Sequence, residues 1–191
     1  MDKENKVRFN LKNVHYAVLT ETVAAGVTTY SYATPVPVPG AVSLDLAPQG
    51  EITKEYADGI VYYQSASNNG YEGDLEMERF PDGMRQDVWG DTLGATSKVL
   101  TEKANAVAAP FALLFQIDGD QGDDYYLMYN CTGTRPHVAS RTNEATRTPQ
   151  HETSTVSAVP RADHLVMART TKDTPANIKS AWFSSVFVEG E

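Results

Sequence analysis

Residues 71–78 read YEGDLEME, with acidic and non-acidic positions alternating without a break. Glu72, Asp74, Glu76 and Glu78 share one parity, and Tyr71, Gly73, Leu75 and Met77 share the other. A helix would set Glu72 against Glu76 and Asp74 against Glu78, like-charge pairs at i,i+4. Gly73 would weaken such a helix further. Period 2 is the signature of a strand, and Asn69-Gly70 just before it is a turn signal. On one strand face, neighbours at i and i+2 lie about 7 Å apart. Each adjacent carboxylate pair then repels by roughly 0.6 kcal/mol in water, and in a dry interior the cost would be prohibitive. The stretch therefore predicts a strand with one wet face and one oily face. The pattern leaves two readings open: an ordinary solvated sheet surface, or a water-filled surface whose negative charge has a task.

The rest of the chain reads mainly as strands. Val7, Phe9 and Leu11 alternate with polar residues at the head of a strand, or strand pair, over 6–21. Gly26 marks a turn before a β-rich stretch, Val27 to Tyr32. Pro35, Pro37 and Pro39 cannot donate to a sheet ladder, so they predict an edge or a connector. In 41–46, Val42, Leu44 and Leu46 are expected on one face, with Ser43 and Asp45 on the other. Residues 48–70 carry Gly50, Asp58-Gly59 and Asn68-Asn69-Gly70 as breakers, yet also Tyr56, Ile60, Val61, Tyr62 and Tyr63. That combination predicts either a hairpin packed on its own domain or an arm that packs on a neighbour.

Pro81 and Asp82 open a short helix over 81–89, with Met84, Val88 and Trp89 at helical spacing and Gly90 as its stop. Residues 109–133 read as a hairpin around the loop DGDQGDD, 118–124. Strands are predicted over 147–159 and 164–171, and a helical turn from Thr174-Pro175 to Trp182. The sum is about eight to ten strands and one short helix. That predicts a mainly β fold, an antiparallel β-sandwich or barrel with one short flanking α-helix, in a single domain spanning 1–191.

Composition narrows function by exclusion. The 25 acids outnumber the 16 bases, giving a net charge of -9, which argues against a surface that grips phosphates. The single cysteine, Cys131, excludes a disulfide within the chain and is expected to be buried or half-buried. No run of 18 apolar residues marks a membrane span, and no apolar signal core follows the start. The loop at 118–124 fails as a calcium loop, because Asp123 stands where a glycine is needed and Tyr129 where a glutamate is needed. His15, His137, His151 and His164 lack paired metal-ligand spacing, and no nucleophile or phosphate-loop pattern occurs. No catalysis, metal or cofactor is expected.

Several stretches occur together and in order: VRFNLKNVHYAVLTE, PVPVPGAVSLDL, YADGIVYYQSASNNGYEGDLEM followed by FPDGMR, PFALLFQIDGD, LMYNCTGTRP and VPRAD. Over nearly its whole length the chain resembles the major tail proteins of long-tailed phages, in particular the phi13-type family of phages and prophages of Gram-positive bacteria. The resemblance implies a tail tube subunit whose fold is related to tubes of contractile tails and type VI secretion. Six such subunits join their sheets into a ring, rings stack into a hollow tube, and DNA leaves the capsid through it. The implied partners are further copies of the chain and the tail-tip, tape-measure and tail-terminator proteins, with DNA as unbound cargo and no membrane. The implied location is the virion tail, assembled in the host bacterial cytoplasm. The C-terminal immunoglobulin-like domain of some relatives is expected to be absent.

Within that resemblance Asp45, Glu72, Asp74, Glu76 and Glu78 are expected to face the lumen, with the tube exterior as the rival placement. Tyr56, Ile60, Tyr62 and Tyr63 become candidate anchors between rings or subunits. Two other classes stay in view. A β-sandwich adhesin or tail-tip binding module predicts a discrete pocket or an exposed aromatic patch and no polymerisation, and a carboxylate-dependent hydrolase predicts a pair of acids in a cleft with separated pKa values.

Overall fold

Residues 4–142 and 148–189 are described in a computed structural model. The described residues form thirteen strands, several of them very short, and two helices. In chain order they are β1 (Arg8–Ala24), β2 (Val27–Tyr32), β3 (Val36–Pro37), β4 (Ala41–Gln49), β5 (Ile52–Ala57), β6 (Ile60–Ala66), β7 (Gly70–Met77), α1 (Asp82–Trp89), β8 (Thr92–Leu93), β9 (Leu100–Thr101), β10 (Phe111–Gly119), β11 (Asp124–Gly133), β12 (Glu152–Ala158), β13 (Met167–Arg169) and α2 (Ala176–Ala181). The two-residue ladder β8–β9 was not foreseen from the sequence. The strand predicted at 164–171 is pared down to β13. The one predicted at 147–159 begins at Glu152, and residue 147 lies outside the described residues.

The main sheet runs β2-β1-β10-β11-β12-β7-β4, with β13 also on β11 and β3 also on β1. Every pairing is antiparallel. The path turns at β11, where Tyr126–Met128 pair with β13 while Cys131–Gly133 pair with β12. Beyond that corner β12, β7 and β4 pack back toward β1, so the sheet folds over a shared core as in a β-sandwich.

That core gathers Val14 and Tyr16 from β1, Phe111, Leu113 and Phe115 from β10, Leu75 and Met77 from β7, and Val156 from β12. Helix α1 caps it with Met84, Val88 and Trp89, as their spacing predicts. The helix stops at Gly90, whose φ of 73° is left-handed and suits glycine. Trp89 Nε1 donates to the Gly133 carbonyl at 2.9 Å, so the indole is both packed and satisfied. The opposite face of β10 and β11 carries Ala112, Leu114, Leu127 and Tyr129 under Trp182 of the C-terminal segment. Coverage on both faces explains why Phe111 to Phe115 is a continuous apolar run instead of an alternating one. Cys131 is fully buried in the first core, beside Phe111, and burial pushes its thiol up to about 12.

One expected face assignment is corrected. Leu44 and Leu46 turn inward with Ala41, but Val42 does not join them and stays 38% exposed. The register shifts between Ala41 and Ser43, a bulge that displaces Val42 from the parity of its neighbours.

Candidate functional site: an acidic sheet face and a bare hairpin

Strand β7 lies between β4 and β12, and its outward row is acidic, as the alternation predicts. Register places Asp45 opposite Asp74, Ser43 opposite Glu76 and Ala47 opposite Glu72. On the other side Thr153 lies opposite Glu76, Thr155 opposite Asp74 and Ser157 opposite Glu72. Leu75 and Met77 point the other way, into the core. Asp45, Glu72, Asp74 and Glu76 therefore share one solvent-facing surface on two adjacent strands.

Hydroxyls flank the carboxylates. Ser43 Oγ donates to Glu76 Oε2 at 2.9 Å, and Thr155 Oγ1 donates to Asp74 Oδ1 at 2.8 Å. His151, just before β12, closes the row at its far end. Its Nδ1 lies 3.0 Å from Glu76 Oε1 and its Nε2 lies 3.5 Å from Glu78 Oε1. Glu78 sits beyond the end of β7, and this histidine brings it back to the row. The Ser43 hydroxyl, then His151, hold the Glu76 carboxyl below the usual glutamate range. His151 and the flanking hydroxyls escaped sequence reasoning. Thr153, Thr155 and Ser157 do alternate in ETSTVSA, but only the topology reveals that this strand borders β7.

A single glycine lets the acidic strands approach. A Cβ on Gly73 would fall 1.7 Å from the Asp45 carbonyl oxygen, a distance no side chain tolerates. Gly73 thus fixes the spacing that sets Asp45 against Asp74.

The second feature grows from the same strands. The ladder of β4 and β7 continues through Asn69 N to Gln49 O at 2.8 Å and Ser67 N to Glu51 O at 3.0 Å, then into β5–β6. At the joint, Gly50 has no room for a Cβ, which would sit 2.1 Å from the Ser67 carbonyl. At the tip, Asp58 and Gly59 have φ of 52° and 79°, the paired positive values of a type I′ turn.

Among the described residues this hairpin pairs only with itself. Tyr62 is 75% exposed, Tyr56 68%, Ile60 64% and Tyr63 56%. These side chains are thus largely open to solvent in the subunit. The β1–β2 hairpin also runs beyond the core, with Val23 and Val27 bare at its end.

The loop at 118–124 works internally. Asp118 pairs with Lys12, and Asp120 Oδ1 accepts from the Lys6 backbone amide at 2.7 Å. Asn5 bonds Gln121 N and Gly122 O, each at 2.8 Å. The loop thereby holds the N-terminal segment in place.

Among the described residues no group of three His, Cys, Asp or Glu is placed to hold a metal ion. Nor, among them, is any helix long and apolar enough to cross a membrane. Two comparisons with known proteins bear on the chain. No family model matches it, and no curated protein matches it. The arrangement can repel polyanions across the β4-β7-β12 face and offer apolar contact along the β5–β6 hairpin.

Proposed function

We propose that this chain is a structural, self-assembling subunit, the tail tube protein of a long-tailed phage. In this reading subunits join into rings, six to a ring, and rings stack into a hollow tube through which DNA passes. The observation that carries the self-assembly reading is the β5–β6 hairpin, with four large apolar side chains more than half exposed and, among the described residues, no member in either core cluster. An isolated two-stranded hairpin is marginal in water, and contiguous bare apolar surface marks an interaction site. A second copy supplies the missing cover.

Three further features support the tube. Strands β2 and β4 end the sheet path with unpaired edges, and ring closure satisfies edges that would otherwise invite aggregation. The β4-β7-β12 face has the wet front and oily back that a channel wall requires. Its carboxylates, Asp45, Glu72, Asp74, Glu76 and Glu78, repel phosphates and let DNA pass without sticking. The assembly works in the virion tail with tail-tip, tape-measure and tail-terminator proteins, and needs neither cofactor nor catalysis.

The test is sedimentation velocity over a concentration series, comparing the chain with a variant in which 52–66 is replaced by a two-residue turn. The reading predicts large species for the chain and a folded monomer for the variant. Equal association of the two would remove the hairpin from the contact.

A further inference from the structure

The bare hairpins leave the molecule at one end, and a cleft opens at the other. Register fixes the first end. Val18 lies beside Phe111, Phe111 beside Cys131, Cys131 beside Ala158, Ala158 beside Tyr71, and Tyr71 beside Pro48. The β5–β6 hairpin continues outward from that row, and so does the β1–β2 hairpin. At the opposite end Arg8 lies beside Gly119. The strand rise from Arg8 to Val18 sets the two ends about 30 Å apart.

At this opposite end the held N-terminal segment, the 121–124 loop and residues 169–173 enclose a cleft of about 460 Å³. Its walls carry as many cations as acids, with Arg8, Arg169 and Lys179 among the cations. On a chain of net charge -9 that balance matters. The hairpin segment is itself acidic, with Glu51, Glu55 and Asp58 against Lys54. The β4-β7-β12 face would repel it, whereas the cleft would not.

We propose that the β5–β6 hairpin of one copy seats its tip in this cleft of the next copy, head to tail. Asp58 then faces Arg169 and Lys179, two of the cations that line the cleft. Donor and acceptor surfaces sit at opposite ends of the strands, so the contact is heterologous and repeats along an axis instead of closing as a symmetric dimer. This rests on the self-assembly reading and names the surface that receives the hairpin.

The test uses single cysteines, since Cys131 is fully buried with its thiol pushed up to about 12 and does not compete. Ala57→Cys marks the hairpin and Gln121→Cys marks the cleft. The two full-length variants are mixed at assembling concentration and treated with a short bis-maleimide. The proposal predicts a cross-linked dimer in the mixture and none with either variant alone. Cross-linking of Ala57→Cys to itself would overturn it. Rings or tubes seen in the mixture without a cross-link would overturn it too, and leave the self-assembly reading standing. Absence of both assembly and cross-link would overturn the two together. As a second check, Asp58→Lys weakens association several-fold, and pairing it with Lys179→Asp in the same chain restores it.

Discussion

Asp45 and Asp74 stand directly opposite each other on β4 and β7, two carboxylates facing the same side of the sheet. Cross-strand partners of this kind lie about 5 Å apart at Cβ, and like charges there destabilise. In water the repulsion amounts to about 0.8 kcal/mol. In the proposed tube the pair adds to the negative charge of a wall that sheds phosphates.

Replacing Asp74 by Asn relieves its repulsion with Glu72 and Glu76 as well as with Asp45 and therefore stabilises the isolated chain by about 1–2 kcal/mol at low salt. The amide oxygen still accepts from Thr155, so the hydrogen bond survives. Urea unfolding at low salt and at 1 M salt checks this, since screening at high salt shrinks the gain. A loss of stability at low salt would mean that the pair is not mutually repulsive.

Gly73→Ala tests the spacing beneath that pair. The added methyl would lie 1.7 Å from the Asp45 carbonyl oxygen, so β4 must move away from β7. The expected cost is about 2–3 kcal/mol or more, read as a lowered urea midpoint. Gly59→Ala at the hairpin tip meets nothing within 4 Å and pays only for its positive φ, about 1 kcal/mol.

Replacing 52–66 by a short turn removes no member of either core cluster among the described residues. The unfolding free energy should stay within about 0.5 kcal/mol of the parent while self-association is lost. A large drop in stability would show that the hairpin packs on its own subunit.

The N-terminal hold is sensitive to acid. The Lys6 amide, then Gln121, keep the Asp120 carboxyl below the usual aspartate range. A depressed carboxylate stabilises the folded form above its unfolded value of about 3.9, and that stabilisation is lost as pH falls through the folded value. Hydrogen exchange at the Lys6 and Val7 amides, corrected for intrinsic rates, should show protection at pH 6 that fades toward pH 3. Asp120→Asn should reduce it already at pH 6. Unchanged protection across that range would place the restraint elsewhere.

Much of this architecture is legible in the residue pattern, for physical reasons that differ by element. The acidic strand declares itself because repulsion and period 2 both forbid a helix at 71–78. Helix α1 declares itself by Pro81, Asp82 and the Gly90 stop. The hairpin at 109–133 declares itself by its polar loop, whereas the cover on both faces of Phe111 to Phe115 is set by the rest of the fold. The bulge at Val42 is hidden, since a register shift depends on the partner strand and leaves no local mark. The placement of His151 against Glu76 and Glu78 is hidden for the same reason, being set by the pairing of β12 with β7. The hairpin at 52–66 could be read as turn-rich and aromatic, but its lack of a partner within the subunit is a property of the whole fold.

Negative-stain electron microscopy of the purified chain at high concentration, in low and high salt, tests the tube reading most directly. The account predicts rings or hollow tubes, favoured by high salt because acidic surfaces on adjacent subunits repel less when screened. Solid aggregates without a central channel, or a monomer persisting through the whole series, would contradict it.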